Sequence, residues 1–355
     1  MVDRVTFSCL ADIKAAGFDD IIDVRAPAEF ADDHVPGAMS LPVFSDAERA
    51  EVGTIYVQDD PFKARKVGAA LVAKNAARHL ETALADRPGG WRPLVYCWRG
   101  GQRSGSFASI LHQIGWRVSL IEGGYKSYRR LVVQMLYDAP LPDQLVLIDG
   151  GTGTGKTALL AELAAQGAQV LDLEALAQHR GSLLGGQAGG QPSQKTFESR
   201  LAMALVGMDL ARPVFVEAES AKIGRLRLPP SLWQAMQRAD HIRLEAPLMA
   251  RAQYLAGSYG DVVADMAELQ ARLSHLVPFH GHELVERWQA MALGGDHQAL
   301  AAELVAQHYD PSYARATRRA RDPLAVIELA GMGKADLSAA VQQVLAMEFD
   351  ASAEG

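Results

Sequence analysis

Leu145 to Ile148 is a short apolar run that leads straight into Asp149, Gly150, Gly151, Thr152, Gly153, Thr154, Gly155, Lys156 and Thr157, with the helix-forming Ala158 to Leu163 after it. No other stretch restricts the fold as strongly. A G-x-x-x-x-G-K-[ST] run calls for a strand before it and a helix after it. Only that arrangement aims a row of backbone N–H groups and a helix N-terminus at one anion. Gly150 to Thr157 therefore reads as a diphosphate cradle, with Lys156 neutralising charge and Thr157 within reach of a Mg²⁺. The bland alternative is a glycine-rich turn with an exposed lysine, and the flanking strand and helix argue against it.

The surrounding segments fit an α/β sheet. Pro213 to Val216 is an apolar strand that ends in acids, and Glu217 is the candidate for the carboxylate that would share a metal with Thr157. A surface carboxylate at a strand end is the competing reading. Gln169 to Glu174 forms another strand with acids at its end, on the same rim if the sheet is parallel. Leu176 to Gly190, with His179 and Arg180, reads as a mobile loop over the site. Beyond Ser231 come helices at Trp233–Arg238, Val262–Leu276, His282–Met291 and His297–Gln307, interrupted by a strand at Asp240–Glu245. Tyr309 to Tyr313 ends that bundle. A strand from Leu324 and a helix from Leu337 complete the domain. Arg315, Arg318, Arg319 and Arg321 form the densest basic cluster, suited to a nucleic-acid backbone or to a solvated helical face.

A second motif lies nearer the start. Leu94 to Tyr96 reads as a buried strand, and Cys97, Trp98, Arg99, Gly100, Gly101, Gln102, Arg103 and Ser104 follow before helical spacing resumes at Phe107. Cys97 thus sits at a strand end, under a loop that opens a helix. Inward N–H groups, the helix dipole and two arginines favour the thiolate and can cradle an oxyanion. A buried structural cysteine is the alternative, and two flanking arginines speak against it.

Cys9 and Cys97 are the only cysteines, which excludes a disulfide framework and a cysteine-rich zinc site. The formal charge of -7 means that a nucleic acid must be met by a local basic patch. Met1 to Ala15 carries Asp3, Arg4, Asp12 and Lys14, so no signal-peptide core is expected, nor any apolar run long enough to span a membrane. A cytoplasmic protein is the expectation. Asp138 to Asp143, with two prolines, reads as a linker, giving domains at 1–137 and 145–355 joined by 138–144.

Asp23, Arg25, Glu29, Phe30, the His34 to Ala38 turn and the Cys97 loop, taken in order, resemble the rhodanese domain over residues 1–130. The resemblance implies a small parallel sheet with helices on both faces. Asp23 and Arg25 read as an ion pair bracing the core. Two features depart from the pattern. The Cys97–Arg103 loop is one residue longer than in many sulfurtransferases and looks like that of dual-specificity phosphatases, although Tyr96 stands where those carry a histidine. Asp46 to Asn75, with Tyr56, Asp59, Asp60 and Lys63, is longer than a minimal domain needs and reads as a solvated helix with an insertion. Gly123 to Arg130 closes the domain as an exposed helix start, with RNA contact the competing reading.

A rhodanese-like parallel-sheet domain followed by a P-loop NTPase-like α/β domain with helical additions resembles the tRNA 2-selenouridine synthase family, over essentially the whole chain. That resemblance implies conversion of wobble 2-thiouridine to 2-selenouridine, with geranyl diphosphate and then selenophosphate as substrates. On that basis the diphosphate is expected on Gly150 to Thr157, with Lys156 stabilising it as it leaves. The selenium donor falls to the loop of Cys97, Arg99, Gly100, Gly101, Arg103 and Ser104. The implied partners are tRNA and a protein delivering selenophosphate. The competing class is a sulfurtransferase fused to an ATP-using kinase or NTPase, which ATP turnover with and without tRNA would reveal. A non-catalytic RNA-binding protein is the third, and alkylation of Cys97 at neutral pH would count against it.

Overall fold

The computed structural model describes residues 2–142, 144–182, 185–186, 189–258, 265–317 and 321–349. It divides into two compact units, Met1–Pro140 with Pro192–Gly207, and Leu141–Gln191 with Met208–Gly355. The first break falls inside the proline-bearing linker segment.

The first unit is built on five parallel strands, β1 (Asp3–Val5), β2 (Asp20–Asp23), β3 (Met39–Ser40), β4 (Pro93–Tyr96) and β5 (Ser119–Ile121), ordered β1-β5-β4-β2-β3. Its helices are α1 (Leu10–Ala15), α2 (Pro27–Asp32), α3 (Asp46–Gln58), α4 (Pro61–Glu81), α5 (Gln102–Ile114) and α6 (Tyr125–Val133). Central β4 is buried along its whole length, as a strand covered on both faces must be, and its apolar residues pack with Ile22, Val24, Phe107 and Leu111.

Where the sequence suggests one solvated helix with an insertion, the chain makes two helices. Ser45 caps α3 by accepting from Glu48 N at 3.2 Å. Asp60 caps α4 by accepting from Phe62 N and Lys63 N, and Pro61 pre-sets the first helical turn. Ala64, Gly68, Val72, Asn75, Ala76 and His79 are buried along one stripe of α4, so this helix is part of the core and not a solvated excursion.

The buried pair of Asp23 and Arg25 braces the sheet. Arg25 Nε donates to both Asp23 carboxylate oxygens at 3.0 and 2.9 Å, and the two side chains are 0% and 1% exposed. Its guanidinium lies 4.0 Å from the centre of the Tyr125 ring. Removing one partner strands a buried charge, so Arg25→Ala is expected to cost this unit about 3–5 kcal/mol. Urea unfolding followed by fluorescence of its tryptophans checks this. A loss below about 1 kcal/mol would mean the pair braces nothing.

The second unit carries a parallel sheet ordered β12-β11-β6-β8-β7, from β6 (Leu145–Gly150), β7 (Gln169–Leu171), β8 (Val214–Glu217), β11 (Asp240–Glu245) and β12 (Ala325–Glu328). A two-residue hairpin, β9 (Lys222–Ile223) with β10 (Leu226–Arg227), lies apart from it. Helix α7 (Lys156–Ala165) follows β6, and α8 (Leu173–Ala177) follows β7. After α9 (Gln194–Leu205) come α10 (Pro230–Arg238), α11 (Leu248–Ser258), α12 (Met266–Ser274), α13 (Val277–His280), α14 (His282–Leu293), α15 (His297–Leu304), α16 (Asp310–Thr317) and α17 (Lys334–Leu345). Trp288 is fully buried at the centre of the packed α12, α14 and α15. Helix α16 continues through Asp310 and Pro311 where the sequence reading ends the bundle. The chain reaches that proline from α15 through a π-helical turn at Val305–Tyr309, so it stays helical across the junction. The sequence reading also missed α11.

The sequence division at 145–355 differs from the structure in α9, which packs within the first unit. Ser199 Oγ donates to Asp33 Oδ2 at 2.9 Å, Lys195 pairs with Asp32 at 2.6 Å, and Arg129 of α6 pairs with Glu198. Tyr125 and Tyr128 are buried on the same side, so the run expected as an exposed helix start is a packed helix.

Candidate active site

Cys97 follows β4 and is 3% exposed, yet its side chain borders a cavity of about 1070 Å³. Ser104, on the first turns of α5, donates its hydroxyl to Cys97 Sγ at 3.2 Å. The loop is backed by the Gly123–Gly124 turn. Tyr125 N donates to Cys97 O at 2.8 Å, and a side chain on Gly124 (φ 61°) would lie 2.3 Å from Cys97 O. Trp98 stacks on Tyr125 with ring centres 5.3 Å apart, and Tyr125 is held by Asp33 at 2.8 Å. The pair described above as a brace thus also supports this loop, through Tyr125.

The two arginines of the motif differ. Arg99 is exposed, borders the cavity and makes no ion pair among the described residues. Arg103 also borders the cavity but is tied to Glu29 at 2.6 and 3.2 Å. Burial works to raise the Glu29 carboxyl, but the hydrogen bonds and charge of Arg103 outweigh it and hold it below the usual range. Arg49 and Arg65 join the lining from α3 and α4, and no carboxylate lies in it. Gly101 borders the cavity too, while Gly100 (φ 64°) packs against Ile121 O behind it.

The second unit holds the other motif as expected from its sequence, strand β6, then the loop, then α7. Lys156 Nζ donates to Gly150 O at 2.8 Å across the loop. Asp149 caps Gly150 N and accepts from the Tyr313 hydroxyl at 2.8 Å. Arg251 of α11, 8% exposed, donates to Thr152 O at 2.9 and 2.7 Å and pairs with Asp310 at 2.6 Å. Thr152, Gly153, Lys156 and Thr157 border a cavity of about 460 Å³, which Tyr254 and Tyr309 also line. Arg180, Gly181 and Ser182 line it as well, so the segment expected over the site does reach it.

Glu217 is not among the cavity's walls. It is fully buried, and its carboxyl oxygen accepts from Leu173 N at 3.0 Å. The acid that meets Thr157 is Glu174, which accepts from its hydroxyl at 3.1 Å and borders the cavity with Asp172 and Glu219. Burial, then the Glu219 carboxylate, push Glu174 above the usual carboxylate range. Among the described residues no cluster of three or more His, Cys, Asp or Glu is set to hold a metal by itself. Of the basic cluster, Arg315 and Arg321 are exposed, with Arg315 donating to Ser312 at 3.0 Å. Arg318 and Arg319 lie outside the described residues.

Burial, and then the neighbouring Asp172 and Glu174, push the Glu217 carboxyl up to about 9. Its ordinary value is 4.5, so between these two the folded chain holds a proton that the unfolded chain releases. Stability from this group is full below pH 4.5 and falls as pH rises through about 9, by up to ~1.4 kcal/mol per pH unit. Glu217→Gln is expected to flatten that decline and raise the melting temperature several degrees at pH 8.5, with little change at pH 5.5. Thermal unfolding at both pH values tests this, and an unaltered slope would refute it.

Residues 6–131 match the rhodanese-like domain, and residues 143–282 match the tRNA 2-selenouridine synthase AAA domain. A tRNA 2-selenouridine synthase of Bordetella bronchiseptica is 36% identical over 328 residues, covering 83% of this chain and 87% of that protein. One of Hahella chejuensis is 34% identical over 331 residues, covering 83% and 84%. With that of Nitrosomonas europaea, at 37% over 265 residues, the match spans 73% of this chain and 66% of the relative. Both motifs, the order of the matched domains and the near full-length likeness lead to one assignment: the chain belongs to the tRNA 2-selenouridine synthase family.

Proposed function

We propose that this chain is a tRNA-modifying transferase that converts wobble 2-thiouridine to 2-selenouridine in two half-reactions, one in each unit. In the first, the thiocarbonyl sulfur attacks C1 of geranyl diphosphate. The C1–O bond breaks, diphosphate leaves with the electron pair, and the base loses its N3 proton. The Gly150–Thr157 loop grips the diphosphate through its N–H groups, and Lys156 neutralises the charge that develops on it. Thr157 and Glu174 suit a Mg²⁺, which keeps waters and needs few protein oxygens, and that ion would add positive charge beside the diphosphate.

In the second half-reaction, selenophosphate lies in the Cys97 loop with Arg99 and Arg103 facing its oxygens. Its selenium attacks C2, the C2–S bond breaks, and geranylthiolate leaves. In this reading the Cys97 thiol protonates the departing sulfur as the C2–S bond breaks, and solvent restores the proton. Water then cleaves the Se–P bond to release phosphate. No atom changes oxidation state overall, so no redox partner is needed.

The observation that carries this reading is the arginine-lined cavity at Cys97, in a chain that also carries the Gly150–Thr157 loop beside a polar cavity. Thiolated tRNA incubated with geranyl diphosphate and then selenophosphate, digested and analysed by nucleoside mass spectrometry, tests it. S-geranyl-2-thiouridine and then 2-selenouridine are the expected products. ATP turnover stimulated by tRNA, with no geranylated product, would favour the kinase or NTPase class. No helix among the described residues is long and apolar enough to cross a membrane.

A further inference from the structure

We propose that the groove between α3 and α4 beside Cys97 is the subsite that receives the prenyl chain on the substrate's sulfur during selenium transfer. This rests on the two-step reading above and adds to it where the chain goes, which neither motif specifies.

Among the described residues, each motif borders a cavity, and the two differ as hosts for an apolar chain. The one at the diphosphate cradle is less than half the volume of the other, and charged or hydroxyl-bearing side chains supply most of its walls. Such a cavity suits a diphosphate and offers an apolar chain little to pack on. The cavity at Cys97 has the opposite character. Phe44, Val52, Val57, Ala64, Ala69 and Val72 form its α3–α4 side, with Cys97 on the other. Small residues at these helix contacts keep the groove open. At its outer end Tyr56 and Val57 are 57% and 81% exposed, an apolar surface of the kind that marks a binding groove.

Charge decides the occupant. Arg49, Arg65, Arg99 and Arg103 line the same cavity, and Glu29, which pairs with Arg49 and Arg103, offsets only part of their charge, so the cavity suits a ligand that is apolar and anionic at once. A prenyl thioether on an RNA base, meeting selenophosphate, has that composition. With the chain in the α3–α4 groove, the C2–S bond lies toward Cys97. When that bond breaks, the sulfur leaves with the electron pair and takes its proton while the chain is already housed. This explains why the segment after β3 exceeds what a minimal domain needs.

The test uses the full chain and three tRNA substrates, carrying S-geranyl, S-dimethylallyl or S-methyl 2-thiouridine, with selenophosphate as donor. Wild type is expected to selenate the S-geranyl substrate at least about 10-fold faster than the S-methyl one. Ala69 and Thr54 are exposed residues lining the groove, and Ala69→Trp and Thr54→Trp fill it without touching the core. Each is expected to slow S-geranyl turnover about 10-fold, leave S-methyl turnover within about twofold, and so erase the chain-length preference. Geranyl transfer from geranyl diphosphate, measured separately, should keep its rate. An unchanged preference in both variants would overturn the proposal, as would loss of geranyl transfer in parallel with selenation. A change in oligomeric state with both rates intact would overturn it too, by making the groove a contact for a second copy. Wild type that performs neither half-reaction would overturn the two-step reading itself, and this subsite with it.

Discussion

Lys156→Ala is expected to lower geranyl transfer to thiolated tRNA by about 10²–10³-fold in kcat/KM, while leaving selenation of an already geranylated tRNA within about twofold. The first effect follows from where charge develops. As the allylic C–O bond breaks, the bridging oxygen and its diphosphate take on the electron pair, and a fixed cation there stabilises the transition state more than the bound substrate. Lys156 starts α7, and its ammonium bends back to Gly150 O at 2.8 Å over the loop that would hold the phosphates. Substrate binding exchanges that contact for phosphate oxygens, so little reorganisation is required. The second effect follows from chemistry, since selenium transfer to the geranylated base releases no diphosphate. Steady-state rates with each substrate, on protein whose melting temperature matches wild type, separate the steps. Unchanged geranyl transfer and unchanged affinity for geranyl diphosphate would remove Lys156 and its loop from that step.

Both chemical loops were legible because each is written in consecutive residues. Gly150 to Thr157 and Cys97 to Ser104 carry strand, turn and helix signals in one short window, and backbone geometry follows from such local patterns. What escaped has partners far apart in the chain. Arg251 meets Thr152 across 99 residues and Asp310 across 59, and nothing in the spacing of either residue announces the contact. The choice of acid failed for a related reason. Glu217 ends β8 while Glu174 stands in the first turn of α8, just beyond β7, and their hydrogen-bond partners separate them. Glu217 turns in to meet Leu173 N, while Glu174 faces Thr157. The return of α9 to the first unit depends on Ser199, Lys195 and Glu198 finding Asp33, Asp32 and Arg129, pairings that charge alone does not specify. The α3–α4 pair was legible as helical material but not as a cavity wall, because a groove is a property of two surfaces facing each other.

Cys97→Ala is expected to reverse the pattern of Lys156→Ala, with selenation of geranylated tRNA falling about 10²–10⁴-fold and geranyl transfer continuing, so that S-geranyl-2-thiouridine accumulates. The alanine removes the group that protonates the departing sulfur and leaves the arginines in place. The Ser104 hydroxyl that bonds Cys97 Sγ at 3.2 Å is left with Gly101 O at 3.3 Å, so Cys97→Ser serves as a control of nearly equal shape. A serine hydroxyl is a far weaker acid than a thiol, and this variant should be as slow as the alanine one if proton donation is what Cys97 supplies. If serine instead restores the rate while alanine does not, Cys97 positions the loop and does no proton transfer. Full selenation by both variants would remove the cysteine from the mechanism altogether. Combining either variant with Lys156→Ala should abolish both products, whereas mixing the two single-site variants with thiolated tRNA should restore 2-selenouridine. The geranylated tRNA released by the Cys97 variant is the substrate that the Lys156 variant can still complete. Failure of the mixture, with both proteins folded, would mean that the intermediate is not released between half-reactions, a result nucleoside mass spectrometry reads directly.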